Sequence, residues 1–134
     1  RDAASPGAAL AAGAAPLRFP IRRPRLDRTM ENTRIDALRK MLELSPNDPR
    51  LRFGLAAEYE RLGRWELVVD ELREYLALTD DEGNAWGRLG NALRQLGRDA
   101  EAREAYRRGI EAALRHGHPG MAAEYEEILE TWDD

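Results

Sequence analysis

The stretch that decides the fold is WGRLGNALRQLGRDAEAREAY, residues Trp86 to Tyr106. Trp86, Leu89 and Leu93 recur at the spacing of one helical face, and Leu96-Gly97 supplies a helix stop. Beyond Asp99 a second helical pattern begins, with Ala102, Tyr106 and Ile110 four residues apart. Two helices joined by so short a connection must run antiparallel.

Shifting the chain by 34 residues repeats this unit. Leu55 falls on Leu89, Ala56 on Gly90, Tyr59 on Leu93, Leu62 on Leu96 and Gly63 on Gly97. The same shift carries Val68 onto Ala102, Leu72 onto Tyr106 and Leu76 onto Ile110, while Leu38 and Leu42 fall on Leu72 and Leu76. Punctuation follows the period: Pro46 ends a first helix, Asp48-Pro49 reads as an N-cap with proline at the first helical position, and His118-Pro119 opens the last. Six helices are predicted, near 32–45, 49–62, 65–78, 82–96, 99–115 and 119–132, with Asp80 and Asp81 opening the fourth. Valine occurs only at Val68 and Val69, so strands have no support.

A helix-turn-helix period of this length resembles the tetratricopeptide repeat. Trp86-x2-Leu89-Gly90-x2-Leu93 followed by Ala102-x3-Tyr106 is similar to that family's signature, with Leu93 at the place of its first tyrosine. The earlier copy departs further, with Arg52, Ala56 and Val68 at the signature's Trp, Gly and Ala places. The resemblance covers residues 34 to about 130 and implies an all-α, right-handed solenoid of helical hairpins. Ala56, Gly90, Ala102 and Gly109 mark close helix approaches, and Trp86, Leu89, Tyr106 and Leu72 fill the spaces between. Amphipathic helices close both ends: Ile35, Leu38, Met41 and Leu42 face inward at the first, and Met121, Ala122, Tyr125, Ile128 and Trp132 at the last.

Residues 1–29 read differently from the domain expected over 30–134. They carry six Arg against two Asp, a net charge of +4, four of the seven prolines and an alanine run, so a disordered leader is expected. A signal peptide or a basic membrane-touching arm competes with that reading, but the arginines follow the apolar stretch instead of preceding it. With 20 Arg to the single Lys40, a spurious upstream extension ahead of Met30 is the simplest account.

Composition narrows the function. The chain has 134 residues, a net charge of -4 and no cysteine, which leaves no disulfide framework, thiolate nucleophile or Cys-ligated zinc. The acidic balance argues against nucleic-acid binding, and no apolar run is long enough for a membrane span, so a cytoplasmic place is expected. His116 and His118, two apart across Gly117, lack metal-ligand spacing; His116 suits the negative end of the fifth helix and His118 the cap of the sixth. Glu126-Glu127 and Asp133-Asp134 read as solvated charge, and no nucleophile elbow, phosphate loop or zinc motif occurs, so neither catalysis, metal nor cofactor is expected.

Binding remains. The resemblance implies a concave groove that holds an extended peptide or partner helix, lined by Arg50, Phe53, Asn84, Arg88, Asn91 and Arg94, with Ala57, Glu60, Gly87, Ala123 and Glu126 beside them. The family's two-carboxylate clamp is not reproduced, because Phe53 and Ala57 stand where it needs Lys and Asn. Arg88 and Arg94 leave a looser preference for acidic or C-terminal segments, Gly87 and Ala57 leaving room for the guest's backbone. Self-association as a homodimer, or a place as accessory subunit of an enzyme complex, are the other readings.

Overall fold

The computed structural model describes residues 33–132. The expected leader over 1–29 lies outside the described residues. The packing below is that of the unit from Ala37 onward. Six helices occur among the described residues: α1 over 33–44, α2 Pro49–Arg61, α3 Trp65–Leu78, α4 Asn84–Gln95, α5 Asp99–Arg115 and α6 Pro119–Glu130. Each of α2 to α6 packs on the helix before or after it in the chain, which is the architecture of stacked helical hairpins.

Local chemistry sets most of the boundaries. The Asp48 carboxylate accepts from the Arg50 backbone N–H at 3.0 Å, and Pro49 occupies a position whose N–H would otherwise lack a partner. At the far end of α2 the Gly63 N–H bonds the Glu60 carbonyl and the Arg64 N–H bonds the Tyr59 carbonyl, with Gly63 at a φ of 71°. That paired closure needs a left-handed residue, which glycine adopts without a Cβ clash. It recurs after α4 and α5, where Arg98 bonds Leu93 and His118 bonds Ala113.

Two boundaries differ from expectation by two residues. α4 starts at Asn84 instead of 82, because Asp81 turns inward and is only 4% exposed. Its Oδ2 accepts from the N–H groups of Gly83 and Ala85, both at 2.8 Å, and its Oδ1 accepts from the Tyr75 hydroxyl at 3.3 Å. α6 stops at Glu130, and His118 precedes it without any side-chain capping bond. His116 lies at the C-terminal cap of α5, as expected, and also reaches Asp80 at 3.0 Å.

The core forms where the 34-residue superposition puts it. Leu55, Val68, Leu72, Leu89, Leu93, Ala102 and Tyr106 are all at most 4% exposed. A Cβ on Gly90 would lie 2.7 Å from the Tyr106 ring, so the hairpin's closest approach requires a glycine there. Trp86 departs from its expected full burial: it is half-buried, with the Arg108 guanidinium 5.6 Å from its ring centre. Met41, expected inward, is 52% exposed.

Candidate functional site

The six residues expected to line one groove separate into three groups. Asn84, Arg88 and Asn91 share a face of α4, and at about 100° per residue that face lies opposite the one bearing Trp86, Leu89 and Leu93. Arg88 reaches across to α2, where its Nε and Nη2 donate to Glu60 Oε1 at 3.2 and 2.6 Å. Its Cζ also lies 5.1 Å from the centre of the Phe53 ring, which meets Tyr75 of α3 at 5.1 Å. One half-buried cluster thus joins α2, α3 and α4 through Phe53, Glu60, Tyr75 and Arg88. A guanidinium held by a carboxylate and stacked on an aromatic face is rigid and largely neutralised.

Asn84 and Asn91 flank Arg88. Both are half-buried, and neither side-chain amide makes a hydrogen bond among the described residues. Each amide offers a donor and an acceptor suited to a guest's main chain.

Arg50 stands apart from this cluster. Its side chain is 89% exposed and bonds Asp48 through Nε and Nη2, at 3.2 and 3.1 Å. Those bonds hold the Asp48 carboxyl below the usual carboxylate range.

Arg94, expected to be open to a guest carboxylate, lies over Trp132, with its Cζ 3.8 Å from the ring centre. Arg103 approaches the same ring at 5.0 Å. Seven places before Arg94, Gly87 leaves no room for a peptide: a Cβ there would fall on the Tyr125 hydroxyl and 2.5 Å from its Cζ. The space is filled by α6. Gly87 and Gly109, two small residues on buried faces, were the sequence signal for a large ring seated between them; the Glu60–Arg88 pairing, 28 residues apart, had none.

Among the described residues no group of three or more His, Cys, Asp or Glu is placed to hold a metal ion, and no helix is long and apolar enough to cross a membrane.

The family model described as tetratricopeptide repeat matches residues 83–116, the α4/α5 hairpin. A TPR repeat-containing protein of Pseudomonas aeruginosa is 30% identical over 99 residues, an alignment covering 74% of this chain and 94% of that one. The chain belongs to the tetratricopeptide repeat family. It is also 33% identical over 96 residues to the small glutamine-rich tetratricopeptide repeat-containing protein 2 of Mycosarcoma maydis; that covers 70% of this chain but only 27% of the longer relative. Among solved structures, the Sgt2 TPR domain from Aspergillus fumigatus superposes with a TM-score of 0.56 at 25% identity, covering 84% of this chain and 82% of that one. MamA shares the fold, with a TM-score of 0.56 at 21% identity over 78% of this chain and 70% of that one. The tetratricopeptide signature residues Leu89, Gly90, Ala102 and Tyr106 are buried together in the matched hairpin.

Proposed function

We propose that the chain is a non-catalytic interaction scaffold that holds a peptide or partner helix along the face presented by α2, α4 and α6. The observation that carries this reading is the cluster on α4: a pre-ordered Arg88 between two half-buried asparagines whose amides bond nothing else among the described residues. Such an arrangement reads a main chain through Asn84 and Asn91 and a side chain or terminus through Arg88. A guest carboxylate reaches Arg88 only in competition with Glu60, so acidic or C-terminal segments bind by exchanging one carboxylate for another. Membership of the tetratricopeptide family supports the scaffold role; α2 and α4 are the first helices of successive hairpins, and α6 follows them at the same place in the period.

The test is a photo-crosslinking residue placed at Asn91 in the full chain, with an equivalent at Arg107 on α5. A partner recovered through position 91 and not through 107 supports the reading; recovery through 107 alone overturns it.

A second reading, self-association, is favoured by Met41, Leu44 and Leu114, large apolar residues that are 52%, 86% and 56% exposed. Light scattering of the full chain and of Leu44→Glu separates it from the first: a dimer dispersed by that change supports it.

A further inference from the structure

The 34-residue shift carries the α1–α2–α3 junction onto the α3–α4–α5 junction, and the two are filled differently. In the first, Tyr59 is 3% exposed, and Arg39 donates to its hydroxyl while lying 5.7 Å from its ring centre. Beside it, Arg52 and Glu71 form an ion pair at 3.1 Å. In the second, Leu93 stands in the place of Tyr59, Trp86 in that of Arg52 and Ala105 in that of Glu71. A tyrosine and a glutamate have become a leucine and an alanine at one junction. A cavity of about 380 Å³ opens there, lined by Arg73, Trp86, Leu89, Leu93, Ala105 and Arg108 among others.

Its floor is apolar and its mouth is charged in balance. Arg73 pairs with Glu101 at 2.9 Å and Arg108 with Glu104 at 3.3 Å, all four side chains being about half exposed. Exposed pairs of this kind contribute little and rearrange readily. Arg73 is the 34-residue counterpart of Arg39, the residue that covers and bonds Tyr59 in the preceding junction.

We propose that this cavity is a binding site for an aromatic side chain, a tyrosine, presented by a partner protein, the guest ring taking the place that Tyr59 fills one repeat earlier. The electrostatics match the guest. Two guanidiniums flank the cavity and favour the negative face of an aromatic ring. Glu101 and Glu104 at the same mouth oppose an anionic guest. Arg73 spends its Nη2 on Glu101 and keeps other N–H donors for the guest hydroxyl, as Arg39 provides for Tyr59. Size is ample, since an apolar cavity of about 150 Å³ already admits a benzene ring. The site lies on the face of α4 opposite Arg88, and it stands or falls independently of the groove reading.

The experiment is an NMR titration of the isotope-labelled full chain with N-acetyl-tyrosinamide, repeated on Leu93→Tyr and Ala105→Glu, which restore the side chains found at 59 and 71. Saturable shifts centred on Arg73, Trp86, Leu93 and Ala105 are expected, with affinity falling at least tenfold in each filled variant. N-acetyl-phenylalaninamide should bind about threefold more weakly, and Arg73→Ala should remove that difference. No saturable shift, shifts centred instead on Phe53 and Arg88, or undiminished binding in the filled variants would overturn the site. Equal affinity for the two amides would overturn the choice of tyrosine. If Leu93→Tyr does not fold, Ala105→Glu decides, because it changes a second residue that lines the cavity.

Discussion

The Tyr125 hydroxyl donates a 2.9 Å hydrogen bond to the carbonyl oxygen of Gly83, tying α6 to the turn that precedes α4. The ring passes over Gly87 and Gly109, and it meets Tyr106 at 5.5 Å between ring centres. The last helix is therefore seated on the α4/α5 hairpin by one aromatic side chain that needs two glycines beneath it. Gly87→Ala should cost about 1–3 kcal/mol, the usual range for overpacking a filled core. Tyr125→Phe should cost about 1–2 kcal/mol for the carbonyl left without its donor. Denaturant midpoints of both variants check this, and an unchanged midpoint for Gly87→Ala would refute the seat.

The same tyrosine makes stability fall at high pH. Burial first, then repulsion from Asp81, pushes its pKa from 10.0 up to about 12. A group raised on folding contributes fully below its unfolded pKa and loses that contribution as pH rises through the folded value. Stability should thus decline between pH 10 and about 12. Burial also raises Tyr75 and Tyr106, so they share the decline. Tyr125→Phe should flatten the slope in that window without abolishing it, as read from urea midpoints at stepped pH.

Asp81 holds the start of α4 by accepting from two backbone N–H groups and the Tyr75 hydroxyl. Asp81→Ala strands those donors in a buried site, and a loss of about 2–3 kcal/mol is expected. Amide exchange at Gly83 and Ala85 should rise in parallel; protection left intact would show that another group caps the helix.

Arg88 and Arg94 should separate in their effects. Arg88→Ala should weaken partner binding about tenfold, the equivalent of one charge-assisted hydrogen bond. Arg94→Ala removes a guanidinium stacked on Trp132, costing about 0.5–1 kcal/mol of stability with partner affinity unchanged. Calorimetric titration and thermal melting of the two variants make the comparison, and a loss of affinity in Arg94→Ala would return that residue to the groove.

Trp86 is half-buried beneath Arg108 and walls an open cavity. Trp86→Ala should cost about 2–3 kcal/mol, below the about 3–5 kcal/mol typical of a fully enclosed aromatic, because part of its surface is already wet. Chemical denaturation measures the difference; a loss at the upper figure would mean that the ring is enclosed in solution.

What the sequence by itself determined was most of what depends on a few neighbouring residues, the local bonds of Asp81 to Gly83 and Ala85 at the start of α4 being the exception. Asp48-Pro49 specifies where α2 begins, and Gly63 and Gly97 specify where α2 and α4 end, because caps are closed by backbone groups within six residues. The 34-residue recurrence of those caps, with Leu55 on Leu89 and Leu72 on Tyr106, is enough to stack the hairpins and identify the core. Side chains that reach between helices were decided only in the tertiary structure. Arg88 turned to Glu60 and Phe53, Arg94 to Trp132, and the Tyr75 hydroxyl of α3 to Asp81 ahead of α4. A long side chain has several rotamers of nearly equal local energy, and the charge or ring that selects one of them arrives from another helix. The same reason explains the cavity at Leu93: the substitution of a tyrosine place by leucine is visible in the sequence, but whether a neighbour closes over it depends on how α3 and α5 lie against α4.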